Sequence, residues 1–178
     1  SQQRQQLAKQ RKRKELTLSK LEGLIVRHYT KPHWVEQILR DGVIKLEGSN
    51  VIQSQPNYHA LAQQYKLLGR YVWFTEDTAN CVVVTKGAHD LTSTDLPFFE
   101  FAANTINIER WSDVRKKLTG NALLFANRLD DRARLVGDNP NKWWVSKLPV
   151  PIEKMIRVNR GTGAANNIGN PYESISKV

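Results

Sequence analysis

The chain has 178 residues, with 40% hydrophobic and 25% charged side chains, a composition typical of one globular domain with a sizeable core. No apolar run approaches the roughly 18 residues that a membrane span needs, so we expect no membrane partner. The single cysteine, Cys81, excludes a disulfide framework within the chain and a zinc ribbon. The first residues lack a signal-peptide pattern, which predicts a cytoplasmic protein.

The net charge of +10 is concentrated in an N-terminal arm, residues 1–20. The arm holds seven Lys or Arg side chains and one Glu, whereas the other 158 residues carry a net charge of only +4. Such a run is either a solvated tail or a contact for a polyanion or a partner groove. The arm can form a helix, but its apolar residues are too few for a continuous core stripe. The candidate nucleic-acid-binding residues are Arg4, Lys9, Arg11, Lys12, Arg13 and Lys14.

Residues 21–158 are predicted to form one domain, followed by a Gly- and Asn-rich tail at 159–178. The first strand is predicted at "GLIVRHY". A helix follows at "TKPHWVEQILRDG", with Thr30 as its candidate cap and Gly42 as its stop. Next come a strand at "VIKLE", a helix at "NYHALAQQYKLLG" and a strand at "YVWFT". In that last strand Tyr71, Trp73 and Thr75 share one face.

The second half of the domain again mixes strands with helices. The segment "CVVVTK" fits a buried strand or a short helix leading to one. A strand at "LPFFEFAA" places Phe98 and Glu100 on one face and Phe99 and Phe101 on the other. Helices are predicted at "ERWSDVRKKL" and "ALLFANRLDDRARLVG", and closing strands at "KWWVS" and "PIEKMIRV". Because strands dominate and the helices are inserted irregularly, we expect an α+β domain with a mixed or antiparallel sheet.

Several conspicuous residues favour a structural interpretation. Trp143 and Trp144 point to opposite faces of their strand, and packing is favoured over stacking on a ligand. Asp130 and Asp131 look like turn or helix-surface residues. The remaining histidines, His33, His59 and His89, have no spacing that assembles a metal site, so no metal is predicted.

Three motifs occur in a suggestive order. "RHYT" ends the first strand and precedes a helix that closes with "ILRDG". "GRYVWFTED" forms an aromatic strand, and "NKWWVSKLPVPIEKMIRV" comes late in the domain. This order resembles the ADP-ribosyltransferase superfamily, in the diphtheria-toxin and poly-ADP-ribose-polymerase branch with the signature His, Tyr, Glu. The resemblance covers about residues 24–158 and implies the split, mixed or antiparallel sheet of that family.

The resemblance implies that NAD is the substrate. In the family the strand-end His bonds a ribose hydroxyl, an aromatic side chain stacks on nicotinamide, and the Glu orients the ribose beside the reacting carbon. These roles fall by resemblance on His28, on Tyr71 or Trp73, and on position 142. The expected pocket also includes Tyr29, which replaces the family's glycine, with Thr30 and Thr75.

Position 142 departs from the family, because it is Lys. An ammonium group beside a forming ribosyl cation would destabilise the cation. Three explanations stay open: another carboxylate, Glu100 or Glu109, takes the role; the fold is kept for binding with catalysis lost; or the register of this segment differs.

Two functions therefore compete. The first is an NAD-dependent ADP-ribosyltransferase-like protein, resembling bacterial toxins and phage effectors, that modifies a macromolecular target such as RNA, DNA or a ribonucleoprotein. The second is a non-enzymatic structural or nucleic-acid-binding module with a degenerate pocket, which the basic arm holds to its partners. Lys142 leaves open whether the domain is an active enzyme.

Overall fold

The centre of the fold is a β-sheet flanked by helices, seen in a computed structural model that describes residues 1–46, 70–78, 82–83, 91–92, 96–135 and 137–162. Its strands are β1 (Ile25–Tyr29), β2 (Val43–Ile44), β3 (Val72–Glu76), β4 (Val82–Val83), β5 (Leu91–Thr92), β6 (Phe98–Ala102), β7 (Glu109–Arg110), β8 (Trp143–Ser146), β9 (Val150–Pro151) and β10 (Arg157–Asn159). Its helices are α1 (Gln2–Lys20), α2 (Pro32–Asp41), α3 (Trp111–Lys116) and α4 (Gly120–Leu135). Short 3-10 turns occupy Ala103–Thr105, Pro140–Lys142 and Ile152–Lys154.

Six strands form the main sheet in the order β10-β6-β1-β3-β8-β7. Every neighbouring pair in this sheet is antiparallel. The short strands β2 and β9 pair with each other, as do β4 and β5. The described chain is thus α+β with an antiparallel sheet, which confirms the fold class predicted from the order of elements.

The two faces of the main sheet carry separate cores, because successive side chains of a strand point to opposite sides. On the face covered by α2, hereafter the α2 face, sheet residues pack against Val35 and Ile38. On the face covered by α3 and α4, hereafter the α4 face, the partners are Trp111 and Leu129. The α2 face contributes Val26, Val72, Phe74, Phe99, Phe101 and Trp144, and the α4 face contributes Tyr71, Trp73, Trp143 and Val145.

The N-cap of helix α2 lies one residue later in the chain than predicted. It is Lys31, which makes no side-chain capping bond, so the proposed capping role of Thr30 is wrong. Thr30 instead donates its backbone N–H to the carbonyl of Pro97, 3.0 Å away. The predicted stop is confirmed: Gly42 has a φ of 67°, a conformation that glycine adopts without strain, and its N–H donates to Ile38.

The segment "PIEKMIRV" is not the single strand that its apolar pattern predicts. Strand β9 ends at Pro151, the turn Ile152–Lys154 follows, and β10 begins only at Arg157. The chain leaves the β2–β9 pair and joins the main sheet, where Ile156 donates its N–H to Glu100 at 2.7 Å. A run of apolar residues does not reveal such a change of partner strand.

Some predictions fall outside the described residues. These are the helix at "NYHALAQQYKLLG", the cysteine Cys81, and the histidines His59 and His89. Of "CVVVTK" only Val82–Val83 is described, as strand β4.

Helix α1 stands apart from both cores. Residues 1–16 are all exposed, including Leu7 at 55% and Leu16 at 60%. None of the helices in the described ranges is long and apolar enough to cross a membrane.

Candidate functional site

A row of polar side chains crosses four neighbouring strands on the α4 face. Arg157 of β10 pairs with Glu100 of β6, Glu100 pairs with Arg27 of β1, and Arg27 pairs with Thr75 of β3. Residues opposite each other in antiparallel strands point to the same face, so these four side chains lie side by side. We call them the polar row.

Two guanidinium groups of the polar row hold one carboxylate. Arg27 Nε donates to Glu100 Oε2 at 2.9 Å, and Arg157 Nε donates to Glu100 Oε1 at 3.1 Å. Burial raises the pKa of Glu100, but hydrogen bonds and charges from Arg157 and Arg27 outweigh it, so the pKa lies below its usual value. The carboxylate is therefore ionised at neutral pH, and the three groups together keep one net positive charge.

An aromatic row, consisting of Phe98, Tyr29 and Trp73, lies beside the polar row on the same face. Phe98 and Tyr29 are paired across β6 and β1, with ring centroids 5.4 Å apart. Arg27 joins the two rows: its Cζ lies 4.2 Å from the centroid of the Phe98 ring, and its Nη1 donates to the Tyr29 hydroxyl at 3.2 Å. The site thus combines flat apolar rings with a positive charge.

Trp73 ends the aromatic row, and its ring packs against the core of the α4 face. Its ring centroid is 4.9 Å from that of Trp111, 5.6 Å from that of Tyr71 and 5.7 Å from that of Trp143. The Trp73 Nε1 atom is buried and has no acceptor among the described residues, although the side chain as a whole is only partly buried. A buried donor without a partner costs about 1–3 kcal/mol, so an acceptor supplied by a ligand would stabilise this position.

Two other predicted pocket residues complete this face. Tyr71 is 7% exposed, and burial, with a smaller contribution from the charge of Glu109, raises the pKa of its hydroxyl. Thr75 is 6% exposed and ends the polar row beside Trp143. The predicted residues Tyr29, Tyr71, Trp73, Thr75 and Glu100 therefore gather on one face.

His28 lies on the opposite, α2 face, with its ring centroid 5.9 Å from that of Phe74. Its Nδ1 is 2.8 Å from the backbone oxygen of Trp73, and because a carbonyl only accepts, Nδ1 carries the proton. Burial lowers the pKa of His28, and the bond to Trp73 offsets this only partly. His28 is thus neutral at pH 7. It contacts the backbone of Trp73 and not the Trp73 ring, because that ring lies on the α4 face of the sheet.

Lys142 and the other candidate carboxylate, Glu109, are both engaged elsewhere. Lys142 ends the turn before β8 and donates its Nζ to the hydroxyl of Thr78 at 3.0 Å. Glu109 lies on the edge strand β7 and forms an ion pair with Lys147 at 3.3 Å. Among the described candidates, Glu100 is the carboxylate that Arg27 connects to the aromatic row, since Arg27 bonds Glu100 and lies over the Phe98 ring.

The two arginines of the polar row are not among the site residues predicted from the sequence. Both stand inside apolar strand segments, at "IVRHY" and "MIRVN", where a charged residue needs a partner if it is buried. That signal marks Arg27 and Arg157 as unusual, but it does not identify Glu100 as their common partner. Their separations from Glu100 along the chain are 73 and 57 residues.

One structural interpretation from sequence is wrong. Asp130 was predicted at a turn or helix surface, yet it is only 3% exposed. It accepts a hydrogen bond from Trp111 Nε1 at 2.8 Å and pairs with Arg115 at 3.0 Å, because α4 packs against α3 along this side. Trp143 and Trp144, at 5% and 3% exposure, are both packed in the cores.

The predicted nucleic-acid-binding cations all lie on the exposed surface of α1. Among the residues described, no group of three or more His, Cys, Asp or Glu side chains is placed to hold a metal ion. Comparison of the chain with protein-family models, with curated proteins and with solved structures found no match in any of the three.

Proposed function

We propose that the protein is an NAD-binding domain of the ADP-ribosyltransferase type that acts on a macromolecular acceptor. The observation that carries the proposal is the buried Nε1 of Trp73, which lacks an acceptor among the described residues and belongs to the aromatic row beside Arg27. Nicotinamide is a flat ring with a carboxamide oxygen, and it is joined through ribose to a pyrophosphate. Aromatic rings, an N–H donor and guanidinium groups are the matching partners for these parts.

In this arrangement nicotinamide stacks against the aromatic row, and its carboxamide oxygen accepts the N–H of Trp73. The pyrophosphate binds Arg27 and Arg157, because guanidinium groups bind phosphates in a bidentate manner. Thr75 offers a hydroxyl to the ribose from the same face. His28 acts as a positioning residue that holds the carbonyl of Trp73.

Transfer requires cleavage of the bond between ribose C1′ and the nicotinamide nitrogen. The bonding pair goes to the nicotinamide ring and neutralises its charge, while a lone pair of the acceptor forms the new bond to C1′ and the acceptor loses a proton. An uncompensated carboxylate would stabilise the intervening cation. Glu100 is ionised, but Arg27 and Arg157 offset its charge. We therefore expect NAD binding with slow release of nicotinamide.

A second candidate is a non-enzymatic structural or nucleic-acid-binding module with a degenerate nucleotide pocket. The observation that favours it is Lys142, whose ammonium group occupies the position expected for a catalytic Glu and is bonded to Thr78. Release of nicotinamide identifies the transferase, whereas NAD binding without release, or no binding of NAD, favours the module.

Titration calorimetry with NAD, alongside mass spectrometry for free nicotinamide, tests the proposal. Trp73→Phe keeps an aromatic ring and removes the N–H, so we expect NAD affinity to fall about threefold to tenfold, as expected for one hydrogen bond of roughly 0.5–1.5 kcal/mol. Trp144→Phe is the matched control, because it removes the N–H that donates to Glu76 on the other face of the sheet. Absence of NAD binding, or equal affinities for the wild type and Trp73→Phe, would refute the pocket.

A further inference from the structure

Helix α1 combines exposed side chains, throughout residues 2–16, with a one-sided charge composition. It runs from Gln2 to Lys20, and nineteen residues at 1.5 Å each give a rod about 28 Å long. Glu15 is its single acidic residue, against seven Lys and Arg side chains in residues 1–20. A helix with this balance attracts polyanions over several ångströms of solvent.

The polar side chains of α1 are ordered around the helix axis. Gln3, Gln6 and Gln10 stand at positions i, i+3 and i+7, which lie on one stripe of an α-helix. At 100° per residue, cations flank this glutamine stripe on both sides. Lys9 and Arg13 lie about 90° and 50° to one side of its centre and Lys14 lies about 50° to the other side, whereas Arg11 and Arg4 lie farther round the helix, at about 110° and 130°.

The same helical spacing argues against other partners. Leu7 and Leu16 are nine residues apart, which places them on opposite sides of the helix. Leu18, the third leucine of the helix, lies on the same side as Leu7, but Arg11 and Lys14 stand between them, so the helix has no continuous apolar stripe to enter a membrane surface or to form the seam of a coiled coil.

We propose that α1 binds in the major groove of double-stranded DNA, with the glutamine stripe toward the base edges and the flanking cations on the phosphates of the two strands. A helix with its side chains is about 10–12 Å across and the groove is about 12 Å wide, so the two shapes fit. Glutamine pairs with the N6 and N7 atoms of adenine through two hydrogen bonds. Duplex RNA is the poorer partner, because its deep, narrow major groove does not admit these side chains.

This inference depends on α1 alone and not on the nucleotide pocket of the α4 face. Loss of DNA binding and loss of NAD binding are therefore separate results. Fluorescence anisotropy of the full chain with a labelled 20-base-pair DNA duplex of random sequence, between 50 and 200 mM salt, measures the first. With Lys9, Arg13 and Lys14 on phosphates, we expect log K to fall with log salt at a slope of about −2.7.

A triple variant, Lys9→Gln, Arg13→Gln and Lys14→Gln, is expected to make that slope shallower by about 2.7. The matched control, Lys116→Gln, Lys117→Gln and Lys154→Gln, removes the same charge from exposed positions of the domain and is expected to leave the slope unchanged. An RNA duplex of equal length is expected to bind at least tenfold more weakly. Equal binding of RNA, equal effects of the two variants, or no DNA binding at 50 mM salt would overturn the proposal.

The glutamine stripe is tested separately, by selection from a pool of random duplexes. The wild type is expected to enrich an adenine-containing sequence and to bind it at least tenfold more tightly than the starting pool. Replacing Gln3, Gln6 and Gln10 with Ala, a stronger helix former, should abolish that enrichment and leave the salt slope intact. Enrichment of the same sequence by the variant would show that the stripe does not face the bases.

Discussion

Replacing Glu100 with Gln keeps the size of the side chain but removes the charge that Arg27 and Arg157 share. Glu100 is 8% exposed, and Arg27 Nε lies 2.9 Å from its Oε2. A hydrogen bond to a charged group stabilises a fold by roughly 1.5–3 kcal/mol. Arg157, with half of its side chain exposed, contributes less because water screens it. We expect the free energy of unfolding to fall by about 2–3 kcal/mol at pH 7.

The unfolding free energy lost in Glu100→Gln should become smaller as the pH falls. Burial raises the pKa of Glu100, but the bonds from Arg157 and Arg27 bring it below its ordinary value of 4.5. A carboxyl group with a lowered folded-state pKa stabilises the protein above its unfolded pKa and loses that contribution as the pH falls through the folded pKa. The difference between wild type and Glu100→Gln is therefore complete at pH 7 and shrinks below about pH 4.5.

Urea unfolding followed by tryptophan fluorescence, at a series of pH values from 7 to 3, measures both effects. Glu153→Gln is the matched control, since Glu153 is exposed in the turn after β9 and its replacement should change stability by less than about 0.5 kcal/mol. The reasoning is refuted if Glu100→Gln matches the wild type at pH 7, or if its deficit stays constant as the pH falls.

Two further changes test other buried polar groups. Trp111→Phe removes the N–H that donates to Asp130 at 2.8 Å, so the free energy of unfolding measured in urea should fall by about 1–3 kcal/mol. Trp34 is partly exposed, and Trp34→Phe should lower the same free energy by less than about 0.5 kcal/mol. Equal losses in the two variants would contradict this reasoning. Burial lowers the pKa of His28 from 6.5, so the unfolded state takes up a proton first and the free energy of unfolding should decrease as the pH falls below 6.5. His28→Gln should weaken that dependence between pH 7.5 and 5.5, and a profile unchanged from the wild type would show that His28 is not responsible.

Several features could be predicted from the sequence alone, because they follow from local covalent geometry. The alternation of side chains along a strand placed Tyr71, Trp73 and Thr75 on one face, and it separated Phe98 and Glu100 from their neighbours in β6. The stop of α2 at Gly42 followed from the backbone freedom of glycine. These features depend only on residues close together in the chain.

The assembly of the site depended on contacts between distant segments. Arg27 and Glu100 meet only because β1 and β6 pair in one register, and a shift of one residue would put the two side chains on opposite faces of the sheet. The same register places His28 on the α2 face, away from the aromatic row with which its motif had been grouped. Which strands pair, and in which register, is decided by packing of the whole core, so the sequence determined the faces of the strands and the tertiary structure determined which faces meet.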